Sequence, residues 1–159
     1  MPKVPKEPTG RPCDATQKYN SRYRDIPSCA PQYEFGYGLS YTTFDVGNLR
    51  LDKASVGPDG RVSASVDVQN TGDRRGDEVV QLYIHDPVAS ISQPVRRLRD
   101  FQRVSLDLGQ TKSVKFTLDS SDVGFYDNTG RFVVEPGTID VYAGDSSSAS
   151  LKSSFNVTR

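Results

Sequence analysis

The sequence predicts an all-β fold, an antiparallel sandwich of about seven strands behind an irregular N-terminal extension. Three observations predict it. Apolar residues recur at every second position from Phe44 onward, and Gly- and Pro-bearing turn signals separate those runs. No segment of helical period reaches the usual globular helix length of about 11 residues. At 159 residues the chain can bury roughly 70% of its unfolded surface around one core, so one domain plus a tail is expected.

The elements follow in order. Residues 1–43 are rich in Pro, Gly and Tyr without a sustained period and read as an extended connector; residues 44–159 read as the sandwich. In the stretch 61–68, Val62, Ala64, Val66 and Val68 occupy every even position, which puts them on one face of a strand. Asn70-Thr71-Gly72-Asp73 reads as a turn, because Asn and Gly tolerate positive φ. Extended structure resumes over 78–85 and stops at Asp86-Pro87. Val114, Phe116 and Leu118 then alternate with Lys115 and Thr117, and residues 132–134, 139–143 and 149–157 supply the remaining strands.

Between them lie Gly57-Pro58-Asp59-Gly60, Leu108-Gly109-Gln110, Asp127-Asn128-Thr129-Gly130 and Glu135-Pro136-Gly137, where Gly or Pro sets angles a strand cannot hold. Short strands at this spacing suit the immunoglobulin or fibronectin type III-like sandwich, whose two sheets bury their apolar faces against each other. The chain has no Trp and no Cys pair within its strands, so the antibody-type core is missing and fibronectin-like is the closer description.

Charge and hydropathy narrow the partners. Twenty Lys and Arg balance twenty Asp and Glu, so the broad attraction that draws proteins to nucleic acid or anionic membrane is absent. No apolar run approaches the roughly 20 residues that span a bilayer, and MPKVPKEPTG lacks the apolar stretch of a signal peptide.

Candidate chemistry is sparse. The single histidine, His85, ends a strand before a turn, with no nucleophile recognisable beside it. Cys13 and Cys29 lie far from His85 and lack the paired spacing of a zinc site. Asp119-Ser120-Ser121-Asp122 and Asp127-Asn128-Thr129-Gly130 offer oxygens without the ligand spacing of a calcium loop, and read as solvated turns. Gly36 and Gly38 have no strand before them and no helix after them, against a phosphate-binding loop. No pair of acids stands out as the two carboxylates that glycoside hydrolysis needs. The expectation is therefore no catalytic, metal or cofactor site. The basic run Arg96, Arg97, Arg99 and Arg103 reads as a charged edge strand, as salt bridges to a neighbouring domain, or as an anion-binding stripe; charge on an edge also blocks unwanted strand pairing.

One segment fits none of these elements. In PQYEFGYGLSYTTF, residues 31–44, five aromatic rings surround two glycines without strand or helix periodicity. Each ring can bury some 150–250 Å², more than a mobile linker would leave in water. Either the rings fold over one end of the sandwich or they meet domains outside the chain.

The motifs Tyr33-Glu34-Phe35-Gly36-Tyr37-Gly38-Leu39-Ser40-Tyr41-Thr42-Thr43-Phe44, Asn70-Thr71-Gly72, Glu78-Val79-Val80-Gln81-Leu82-Tyr83, Pro94 with Leu98 and Phe101, and Glu135-Pro136-Gly137 before Val141 resemble the C-terminal end of glycoside hydrolase family 3 enzymes. Bacterial periplasmic β-glucosidases are the nearest likeness, and Gly10-Arg11-Pro12 with 18–23 resembles their connector. The likeness covers almost the whole chain, departing at Phe132, where relatives often carry Trp, and at Ile139, where an aromatic is common.

The resemblance implies a fibronectin type III-like module whose aromatic connector wraps over catalytic domains, with Tyr33, Phe35, Tyr37, Leu39, Tyr41, Arg96 and Arg97 as candidate interdomain contacts. It implies that the nucleophilic Asp and acid/base Glu lie in domains upstream, so the module has no catalytic residue and packs on those domains. It leaves a second subunit as a further partner. An accessory polysaccharide-binding module, using Tyr23, Tyr33 and Tyr37 to stack on sugar rings, is the alternative. Export of the parent to the periplasm or beyond would permit a Cys13–Cys29 disulfide, two free thiols being the other possibility.

Overall fold

A computed structural model describes residues 31–159. Ten strands and one helical turn follow in the order β1 (Phe44–Leu51), β2 (Ser55–Val56), β3 (Val62–Asn70), β4 (Gly76–His85), β5 (Arg97–Leu106), β6 (Thr111–Leu118), α1 (Ser120–Val123), β7 (Phe125–Tyr126), β8 (Phe132–Val133), β9 (Gly137–Gly144) and β10 (Leu151–Val157). One sheet has the order β1-β3-β6, the other β2-β10-β9-β4-β5, and β7 pairs β8 as a small separate hairpin. All pairings are antiparallel except β2 with β10.

The core forms where the two sheets face each other. β3 contributes Val62, Ala64, Val66 and Val68, the face its alternation predicts, each at most 1% exposed. β6 adds Val114, Phe116 and Leu118; the opposite sheet supplies Val80, Leu82 and Ile84, then Ile139, Val141 and Ala143, then Phe155 and Val157. Burying side chains of this size gives about 1.5–3 kcal/mol each, the main term that offsets chain entropy.

Seven strands are seven residues or longer, and five of them, β3, β4, β6, β9 and β10, are runs that the alternation predicts. Residues 132–133 belong to the small hairpin, and their place in the sandwich goes to β5, the basic run. β5 lies at an edge of its sheet, where charge is tolerated; Arg103 is exposed, whereas Arg97 and Arg99 are half-buried. Its register slips at Arg99, which bulges between Leu98 (opposite Tyr83) and Asp100 (opposite Leu82).

A second bulge shapes β1. Asn48 sits at φ 56, the only positive-φ non-glycine residue among those described, and it shifts the pairing with β3 between Gly47 and Arg50. Inward positions therefore switch from Phe44 and Val46 to Leu49 and Leu51, all of which pack on the core. The chain bends at residues 72–74 between β3 and β4, as expected, but neither Asn70 nor Gly72 has positive φ, and Asn70 ends β3 as a fully buried residue. Asp119 to Asp122, expected as a solvated turn, form a capping box that starts α1, Asp119 accepting from the Ser121 amide and Asp122 from the Asp119 amide.

Candidate functional site

Residues 31–43 run as a strap across the outer face of the β4 sheet, and specific bonds hold it there. The Ser147 amide donates to the Phe35 carbonyl at 2.8 Å, and Gln81 Nε2 donates to the Gly36 carbonyl at 2.9 Å. Gly36 has φ 82, and a Cβ there would overlap Gln81 Oε1, so both the conformation and the close approach require glycine. The Gln81 amide also donates to the Asp145 carbonyl, while its oxygen accepts from the Tyr83 hydroxyl.

This covering explains the burial of β4 on both faces. Val80, Leu82 and Ile84 point into the core, whereas Gln81 and Tyr83 point outward and are still buried, beneath the strap and the loop after β9. Burial pushes the Tyr83 phenol up to about 12.

The strap's exit into β1 is clamped by Asn70. Its side-chain oxygen accepts from Thr42 Oγ1 and from the Gly72 amide, both at 3.0 Å, and its Nδ2 donates to the carbonyls of Arg74 at 2.7 Å and Leu106 at 3.1 Å. The Thr43 carbonyl accepts from the Thr71 amide at 2.9 Å, and Thr42 lies so close to Gly72 and Gly76 that a Cβ on either would collide with it.

The strap side chains lie outside this framework. Tyr33 and Tyr37 stack at 5.2 Å, Phe35 is exposed, and Leu39 and Tyr41 are 89% and 93% exposed. Between the strap and the sheet lies a cleft of about 360 Å³, walled by Phe35, Leu39, Val79, Leu98 and Phe101 and edged by Asp77, Glu78 and Asp145. Burial raises the Glu78 carboxyl above its usual range, and the charge of Asp145 adds to the effect.

The two candidate arginines are held within the domain. Arg96 Nη1 donates to the Ser147 and Ala149 carbonyls at 2.6 and 2.7 Å, and its guanidinium lies 3.9 Å from the Tyr142 ring centre. Arg97 donates to the carbonyls of Val123 and Gly124 at 3.1 and 3.3 Å. The strap thus brings together Tyr33, Phe35, Tyr37, Leu39 and Tyr41, while Arg96 braces the loop under it and Arg97 sits beside α1. Cys13, Cys29 and Tyr23 lie outside the described residues.

Among the described residues no three His, Cys, Asp or Glu side chains are grouped to hold a metal ion, and no helix is long and apolar enough to cross a membrane. Two features escaped the sequence reading: Gln81 as the peg under the strap, and Asn70 as its clamp. Gln81 left a trace, a lone amide in the apolar run 79–84.

Two facing sheets, antiparallel but for the short β2–β10 pair, with this strand order suit a fibronectin type III-like domain, and residues 78–147 match the family model of that description. The chain is 41% identical over 151 residues to the periplasmic beta-glucosidase of Salmonella typhimurium, covering 94% of this chain and 20% of that protein. It is 43% identical over 119 residues to a beta-xylosidase of Formosa agariphila, covering 75% of this chain and 16% of that protein. Among solved structures, beta-glucosidase from Listeria innocua in complex with glucose superposes with a TM-score of 0.84 at 37% identity, over 96% of this chain and 21% of that one. The GH3 beta-glucosidase of Bifidobacterium adolescentis gives 0.72 at 28% identity, over 79% and 18%. The chain contains a fibronectin type III-like domain, is similar to part of family 3 β-glucosidases and of a β-xylosidase, and spans about a fifth of the length of these relatives.

Proposed function

We propose that this domain is a non-catalytic module of a hydrolase acting on terminal β-glucosides, exported to the periplasm or beyond, and that it packs on the catalytic domains and stabilises them. Residues 1–43 act as the connector and residues 44–159 as the body. The observation that carries this reading is the strap, whose backbone is bonded to the sheet while Phe35, Leu39 and Tyr41 stay exposed. A backbone already fixed lowers the ordering cost of association, so apolar area presented on it converts to binding more fully than on a mobile linker.

The test grafts this chain into the Salmonella typhimurium periplasmic beta-glucosidase in place of the segment it matches. Changing Phe35, Leu39 and Tyr41 together to Ser is expected to lower the melting temperature and aryl β-glucoside hydrolysis of the graft, while the isolated chain keeps its own melting temperature. An unchanged graft would overturn the docking role. The isolated chain is expected to release no nitrophenol from an aryl β-glucoside; turnover above blank refutes the non-catalytic reading. Depletion of the chain by insoluble cellulose, xylan or laminarin would instead favour sugar stacking on the Tyr33–Tyr37 pair.

A further inference from the structure

The cleft beside the strap combines apolar walls with two acids that have no counter-charge among the described residues. Of its three carboxylates, Asp77 is engaged by Arg103 and by the Ser105 hydroxyl. Glu78 and Asp145 have no ion-pair partner among the described residues. Arg103, opposite Val79, is committed to Asp77, and Arg96 to two carbonyls and the Tyr142 ring.

Glu78 is half-buried and feels the charge of the exposed Asp145 beside it, a repulsion that an incoming cation relieves. Phe35, Leu39, Val79 and Phe101 stand around them with exposed apolar surface. That combination selects for an amphipathic cation, whose methylene stem lies along apolar groups while its charged head reaches carboxylates. Arginine suits it better than lysine, because a planar guanidinium stacks on rings and bonds carboxylates through several donors. At about 360 Å³ the cleft lies near the bottom of the roughly 300–1,000 Å³ range of ligand sites, room for a side chain or two and not for a folded segment.

We propose that this cleft is a socket for an arginine presented by the domain on which the strap docks, so that Glu78 and Asp145 set the register of a contact whose area comes from the strap. The inference rests on the docking role proposed above and names the chemistry of the partner surface.

The experiment compares the Glu78→Gln/Asp145→Asn double variant in the isolated chain and in the Salmonella typhimurium graft, by thermal melting at low and high salt. The socket predicts opposite signs. The isolated chain holds or gains stability because repulsion is relieved, whereas the graft loses several degrees at low salt and less at high salt. If the double variant leaves the graft unchanged or raises its melting temperature while the Phe35, Leu39 and Tyr41 variant still lowers it, the socket is wrong and the docking role stands. If neither lowers it, both fail. A matching loss in the isolated chain also overturns the socket, because it assigns the two acids to the fold and not to a partner.

Discussion

Replacing Asn70 with Ala tests how the strap's exit is anchored. The side chain is fully buried and makes four hydrogen bonds, accepting from Thr42 and Gly72 and donating to the carbonyls of Arg74 and Leu106. The contact with Leu106 is buried, so alanine leaves a carbonyl that water does not reach, at about 1–3 kcal/mol. The other three bonds are only partly buried; water replaces part of each, and about 0.5 kcal/mol apiece is lost. The sum is about 3 kcal/mol, a large share of the roughly 5–15 kcal/mol that holds a domain of this size. Urea unfolding reads it directly, and the corresponding drop in melting temperature is about 6–12 °C.

Asn70→Asp sharpens the test. It keeps both acceptor roles but aims a carboxylate at two carbonyls, so at neutral pH it is expected to cost at least as much as alanine. Burial raises the pKa of the new carboxyl above its unfolded value of about 4, so the deficit grows as pH rises through the folded value and narrows in acid. A loss below about 1 kcal/mol for alanine, or a milder effect for aspartate at pH 7, would refute the clamp.

Two further outcomes follow from the strap. Gly36→Ala forces a side chain into the left-handed region, at about 1–2 kcal/mol, and displaces Gln81; the exchange of the Ser147 amide, which bonds the Phe35 carbonyl, is expected to quicken about tenfold, while Gly38→Ala, with open space at its Cβ, leaves it unchanged. Tyr83 gives an alkaline signature. The unfolded phenol ionises near 10 and the folded one near 12, so the unfolded chain gains by losing its proton in that window. Stability is expected to fall as pH rises from about 10 to 12. Denaturant midpoints should show this slope in the wild type and its loss in Tyr83→Phe.

The sequence was most readable where one face of a strand is buried and the other wet. In β3 the period of two survives because Ser63, Ser65 and Asp67 face outward while the alternate residues enter the core. β4 is less regular, because the strap covers its outer face and lets Gln81 and Tyr83 be buried too; that requires knowing where residues 35–36 cross. β5 was legible as a charged edge strand, one reading of its arginine run, because an edge position tolerates charge. Asn70 looked like a turn residue because Asn serves that role more often than it serves as a buried hub, and its four partners come from segments up to 36 residues away. The aromatic strap stood out at once as a foreign element, but its double nature, backbone bonded inward and rings facing out, is a matter of three-dimensional placement.

The parallel pair at the rim has a kinetic meaning. Ser55 and Val56 pair with Asn156 and Val157, and the Val56 carbonyl accepts from Thr158, 102 residues further along. The short second strand therefore has no ladder until the tenth is in place, and the tenth rests on the ninth. Such distant closures slow the search for the native topology, in the millisecond-to-second range common for all-β sandwiches, and leave the valines of residues 62–68 waiting for their lid. During that interval the nascent body is most vulnerable to sticking to its neighbours, well before any strap has a surface to lie on.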